Sequence, residues 1–106
     1  MGIKQQTTGR LTTTDVENPV IVAGGYSYYG ATLSPNPDTS YALGSAVVTV
    51  QYSADGENFF NSTKTLSNST QSFFNEEIRG VHSLRFVTTT ADGSADPDAV
   101  ISVYLQ

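Results

Sequence analysis

Residues 46–60 read A-V-V-T-V-Q-Y-S-A-D-G-E-N-F-F, and this stretch decides the fold class. Ala46, Val48, Val50 and Tyr52 alternate with Val47, Thr49, Gln51 and Ser53. Successive side chains of an extended strand point to opposite faces, so this spacing describes a strand buried on one face and wetted on the other. Asp55-Gly56 then closes the strand with a tight turn, because both residues tolerate positive φ.

The same pattern recurs along the chain. Across residues 81–90, Leu84, Phe86 and Thr88 alternate with Arg85, Val87 and Thr89. Residues 99–105 put Ile101, Val103 and Leu105 on one face, and Tyr29, Ala31 and Leu33 share another. Residues 20–23 form a short apolar run broken by Gly24-Gly25, and residues 11–14 are a short β-prone piece. Weaker strands are predicted near residues 63–66 and 71–75, with 76–80 as an irregular turn closed by Gly80. Residues 15–19, 34–40 and 91–98 carry the Pro, Gly, Asn and Asp of loops. Short strands separated by turn signals predict an all-β protein, an antiparallel sandwich or jelly roll of about eight strands. Residues 1–10 are polar and read as an extended arm or a weak edge strand, ahead of a single domain over residues 11–106.

Composition narrows the function. At 106 residues the chain has the length of one domain. It has no cysteine, which removes disulfides, thiolate metal sites and cysteine nucleophiles. Net charge is −5, and the five cations (Lys4, Arg10, Lys64, Arg79 and Arg85) are scattered. A basic patch for nucleic acid is therefore not expected. The start, M-G-I-K-Q-Q-T-T-G-R, has no apolar core of a signal peptide. Nor does any window approach the roughly 18 apolar residues of a membrane helix. Ser and Thr make up about a quarter of the chain.

Candidate chemistry is sparse. His82 is the only histidine, and Ser83 is its neighbour. Adjacent strand residues point to opposite faces, so the two are not expected to meet as base and nucleophile. Glu76-Glu77 is the only close carboxylate pair on a predicted edge, and its members should diverge rather than face each other across a cleft. Asp92, Asp96 and Asp98 are the best calcium candidates, but they lack the spacing and bidentate Glu of an EF-hand. Asn61-Ser62-Thr63 and Asn68-Ser69-Thr70 match the glycosylation sequon, which matters only in a secretory setting. No catalytic residue, cofactor or metal ligand is assigned. Tyr26, Tyr28, Tyr29 and Tyr41 flank the proline loop, where tyrosines serve the core, a sugar platform or a protein interface.

Three phrases resemble one kind of protein: V-T-V-Q-Y-S-A-D-G-E-N-F with its lead-in, I-R-G-V-H-S-L-R-F-V-T-T-T at 78–90, and the closing A-V-I-S-V-Y-L. Together they look like the small jelly-roll proteins of bacteriophage virions, especially capsid decoration or cement proteins. The resemblance covers about residues 47–105, with Phe59 where tryptophan is commoner. It implies a non-enzymatic protein, made in the host cytoplasm and located on the capsid surface. Its partner would be the major capsid protein, whose subunits it would bridge, and it would be a homo-oligomer, a trimer favoured, engaging no nucleic acid and no membrane. Interface candidates are Ile3, Lys4, Gln5, Gln6 and Arg10 in the N-terminal arm, with Tyr26, Tyr28 and Tyr41. The alternative is a carbohydrate- or host-surface-binding module of a phage tail or fibre, using the tyrosine cluster.

Overall fold

A computed structural model describes residues 3–10, 21–35, 46–90 and 98–106. Eight strands run through them: β1 Ile3–Arg10, β2 Ile21–Val22, β3 Tyr28–Pro35, β4 Val47–Ser53, β5 Phe60–Ser67, β6 Ser72–Glu77, β7 Ser83–Thr90 and β8 Asp98–Leu105. They form two four-stranded antiparallel sheets, ordered β1-β8-β3-β6 and β2-β7-β4-β5. The pairs β1·β8, β2·β7, β3·β6 and β4·β5 make one long antiparallel ribbon. Wrapping that ribbon on itself brings β3 onto β8 and β4 onto β7, which is the jelly roll.

Alternation explains the core. Tyr29, Ala31 and Leu33 face Ile101, Val103 and Leu105 within the first sheet's inner surface, and all six are buried. Ala46, Val48, Val50, Leu66, Leu84 and Phe86 supply the second. Fully burying a side chain of this size stabilises by about 1.5–3 kcal/mol. Tyr29 is the largest of them and meets Tyr52 and Phe73 edge-to-face, with ring centroids 5.9 and 5.3 Å away. Its buried hydroxyl is satisfied by the Tyr52 hydroxyl at 2.9 Å.

Four features depart from the sequence reading. Of the two readings of residues 1–10, the edge strand holds and the arm does not: residues 3–10 form β1, paired with β8 from Ile3↔Leu105 to Arg10↔Asp98. Glu76-Glu77 ends strand β6, and the turn follows at Arg79-Gly80. The predicted loop at 34–40 starts later, since Ser34 and Pro35 still pair with β8, while 36–40 lie outside the described residues. The outward face of β4 is also not uniformly wet: Thr49 and Ser53 are buried. Thr49 shares a hydroxyl hydrogen bond with Thr89, and the Ser53 hydroxyl accepts from the Asp55 and Gly56 amides of the turn above it. The readings at residues 11–19 and 91–97 also lie outside the described residues.

Candidate functional site

The Asp55-Gly56 turn follows β4 as the sequence suggests, but only Gly56 takes a positive φ, and Asp55 acts through its carboxylate. The Asp55 carboxylate accepts hydrogen bonds from the Glu57 and Asn58 amides at 2.8 and 2.9 Å, from the Asn58 side chain at 2.8 Å and from the Ser53 hydroxyl at 2.9 Å. Gly56 takes φ +83°, where a side chain is strained. The Asn58 and Glu57 amides hold the Asp55 carboxyl well below the usual carboxylate range. A carboxylate with four donors already on it is a turn former.

His82 and Ser83 do meet, against the expectation. His82 Nδ1 lies 2.6 Å from Ser83 Oγ. His82 precedes β7 and its amide donates to the Ser53 carbonyl, so strand alternation does not govern it. The pair is still poorly placed for nucleophilic work, because Ser83 is completely buried while the His82 ring packs toward Gly56. Glu76 and Glu77 diverge as expected. Glu76 turns to Lys64 at 2.8 Å, and Glu77 sits exposed opposite Tyr28. Of the calcium candidates, Asp92 and Asp96 fall outside the described residues, and Asp98 opens β8. Among the described residues no three His, Asp or Glu side chains converge.

The interface candidates separate. Ile3, Lys4, Gln5, Gln6 and Arg10 all lie on the edge strand β1, in register with Leu105, Tyr104, Val103, Ser102 and Asp98. Tyr26 is half-buried and packs against the core. Tyr28 is half-buried, with the Arg79 guanidinium 5.8 Å from its ring. Tyr41 lies outside the described residues. Tyr29, a member of the same sequence cluster, belongs to the core, and burial pushes its phenol above the ordinary range.

The outer face of the β1-β8-β3-β6 sheet carries a feature the sequence reading missed. Between Tyr29 and Ala31 the β3·β6 register shifts, so Phe74 and Asn75 together oppose Gly30. This is a β-bulge, and Asn75 takes φ 61°, a left-handed conformation that Asn tolerates better than most residues. The Phe74 ring lies directly on Gly30: a Cβ there would come within 2.6 Å of Phe74 Cδ1. Tyr104, opposite Gly30 on β8, stands beside it, ring centroids 6.0 Å apart and planes tilted by 49°. These rings, with Tyr28, Asn75 and Gln106, line a shallow open depression of about 30 Å³. A glycine inside a strand pattern signals such close approach, and an F-F doublet must send one ring outward.

The other sheet's outer face carries a polar row. Arg85 donates twice to the Gln51 side-chain oxygen, at 2.9 and 2.7 Å, and Gln51 donates to Asn61 at 2.8 Å. The same guanidinium lies 4.1 Å from the centre of the Phe59 ring, a cation–π contact. The row ties β7, β4 and β5 together.

Among solved structures, the crystal structure of the SPBc2 prophage-derived protein YomS resembles this chain with a TM-score of 0.65 at 13% sequence identity, over 99% of this chain and 94% of that one. At that identity the likeness is one of fold. No protein-family model and no curated protein matches the chain.

Proposed function

We propose that this protein is a non-enzymatic component of a bacteriophage virion that binds the outside of the capsid and bridges major capsid protein subunits. The observation that carries the reading is the end-to-end likeness of its jelly roll to a prophage-derived protein, over nearly the whole of both chains. The groups best suited to chemistry support it as well. Ser83 is sealed in the interior, Asp55 is saturated by its own turn, and Glu76 is paired with Lys64. Three of the five cations are likewise engaged within the fold, Lys64 by Glu76, Arg79 by Tyr28 and Arg85 by Gln51 and Phe59, and this favours a protein partner over nucleic acid.

In this reading the protein acts as a homo-oligomer, a trimer at the capsid's local three-fold axes. Several modest contacts then add up, since a tethered second contact forms intramolecularly and avidity exceeds any single affinity by about 10²–10⁴. The edge strand β1, carrying Lys4 and Arg10, is the surface assigned to the capsid subunits. The decisive experiment mixes purified protein with undecorated capsids and pellets them. Co-sedimentation that saturates at a fixed ratio to the major capsid protein is expected. Protein left entirely in the supernatant at saturating concentration would rule the reading out.

A further inference from the structure

We propose that the depression between Phe74 and Tyr104 is a binding site for a neutral saccharide ring. A sugar presents an apolar C–H face and a polar equatorial rim, so its receptor needs a fixed flat apolar surface with uncharged donors and acceptors at its border. Phe74 provides the surface. Its ring is held down on the Gly30 backbone, where no side chain intervenes. Tyr104 forms the second wall at 6.0 Å and 49°, an angled slot rather than a flat stack. Phe74 remains 56% exposed, an apolar exposure the fold itself does not need.

The rim meets the polar requirement. Asn75 and Gln106 border the depression, and neither side-chain amide hydrogen-bonds another described residue. A carboxamide offers both donors and an acceptor, the pairing that neighbouring hydroxyls take. Asn75 is held there by the bulge, in a left-handed conformation. No side chain among the described residues that line the site is charged, which favours a neutral ligand over an anionic one. Lys4 lies one strand beyond Tyr104 in register, on the side away from Phe74. The volume, about 30 Å³, is far below the roughly 300 Å³ of an enclosing ligand pocket. The site therefore holds one face of one ring, as a terminal or protruding sugar on a surface would present it.

The test is a titration of the ¹⁵N-labelled full chain with glucose, galactose, mannose, rhamnose and N-acetylglucosamine and their short oligomers, read by amide chemical shifts. At least one sugar is expected to move the Gly30, Phe74, Asn75 and Tyr104 amides in a saturable way. Phe74→Ala and Tyr104→Ala should each weaken that binding at least tenfold. Asn75→Gly, whose backbone suits the positive φ and keeps the bulge, should weaken it severalfold with an unchanged melting curve. That variant serves if an aromatic substitution disturbs folding. The proposal is overturned if no sugar of the panel shifts these amides. It is equally overturned if shifts centre elsewhere, for instance on Phe59 and Arg85, or if binding survives Asn75→Gly and Phe74→Ala unchanged. Capsid co-sedimentation does not read on this site, so the two proposals stand or fall separately.

Discussion

At the scale of single residues, Asp55 and Gly30 show what local chemistry asks of the sequence. Four donors converge on the Asp55 carboxylate. Asparagine keeps one acceptor oxygen for the two backbone amides, whereas alanine leaves both without it. Asp55→Ala should therefore lower the melting temperature more than Asp55→Asn does. The ionised carboxyl is favoured in the folded state, so its folded pKa lies below the unfolded value of about 3.9. A depressed folded pKa contributes stability that is present above the unfolded value and is lost as pH falls toward the folded one. The melting-temperature gap between the natural chain and Asp55→Asn should accordingly be wider at pH 7 than at pH 3. A gap that stays constant would mean the charge does not matter. Gly30 is constrained by space. A Cβ there meets Phe74 Cδ1 at 2.6 Å and the Phe73 carbonyl oxygen at 2.8 Å. The ring can swing away, but the carbonyl belongs to the sheet. Gly30→Ala should cost about 1–3 kcal/mol in denaturant unfolding, the range for overpacking.

At the scale of elements, strands with a clean apolar alternation in sequence were read firmly and strands without it only weakly. Period-2 burial marked β4, β7 and β8 because Val48, Val50, Leu84, Phe86, Ile101 and Val103 each have to reach the interior. β1 was ambiguous because I-K-Q-Q-T-T-G-R has no such alternation, and its partner lies at the other end of the chain. The bulge in β6 hid two things at once. It kept Glu76 facing inward beside Tyr29 although residues 76–77 looked like a turn, and it left Phe74 on the outer surface. His82 misled for the opposite reason, since alternation was applied to a residue that precedes its strand. The candidate sugar site was only partly legible. Tyr28 stood out in a tyrosine cluster, but Phe74 and Tyr104 come from two other strands that only the topology brings together. The assignment of β1 has a direct consequence. Deleting residues 1–10 removes eight register pairs and exposes the edge of β8. In a domain of this size each lost kcal/mol lowers the melting temperature by about 4–8 °C. A fall of at least ~10 °C is expected by circular dichroism. An unchanged melt would return these residues to the status of an arm.

At the scale of the whole molecule, the jelly roll closes by pairing its first strand with its last. Ile3 lies opposite Leu105, so the two ends of the described fold run side by side. Every contact of that ladder must wait for nearly the entire chain to be gathered, and such non-local pairing slows folding more than it weakens stability. The fold should therefore reach its native state in milliseconds to seconds, the range of all-β domains. A circular permutant separates topology from stability. Joining the ends with a short glycine linker turns the β1·β8 ladder into a hairpin and also brings β3 nearer to β8 and β2 nearer to β7 along the chain. New ends fit between Ser69 and Thr70, in an exposed turn that crosses from β5 to β6 and whose hydrogen bonds of Ser67 with Ser69 and Thr70 are local. The cut lengthens the path from β3 to β6 and from β4 to β7, so the gain is partial, but the longest-range ladder becomes the shortest. The permutant should keep the sheets, recorded as an unchanged far-ultraviolet circular dichroism spectrum, and refold several times faster in stopped-flow tyrosine fluorescence. A permutant that folds at the parent's rate would mean that closure of β1 on β8 comes after the rate-limiting step, with the nucleus lying in the β7-β4-β5 sheet instead.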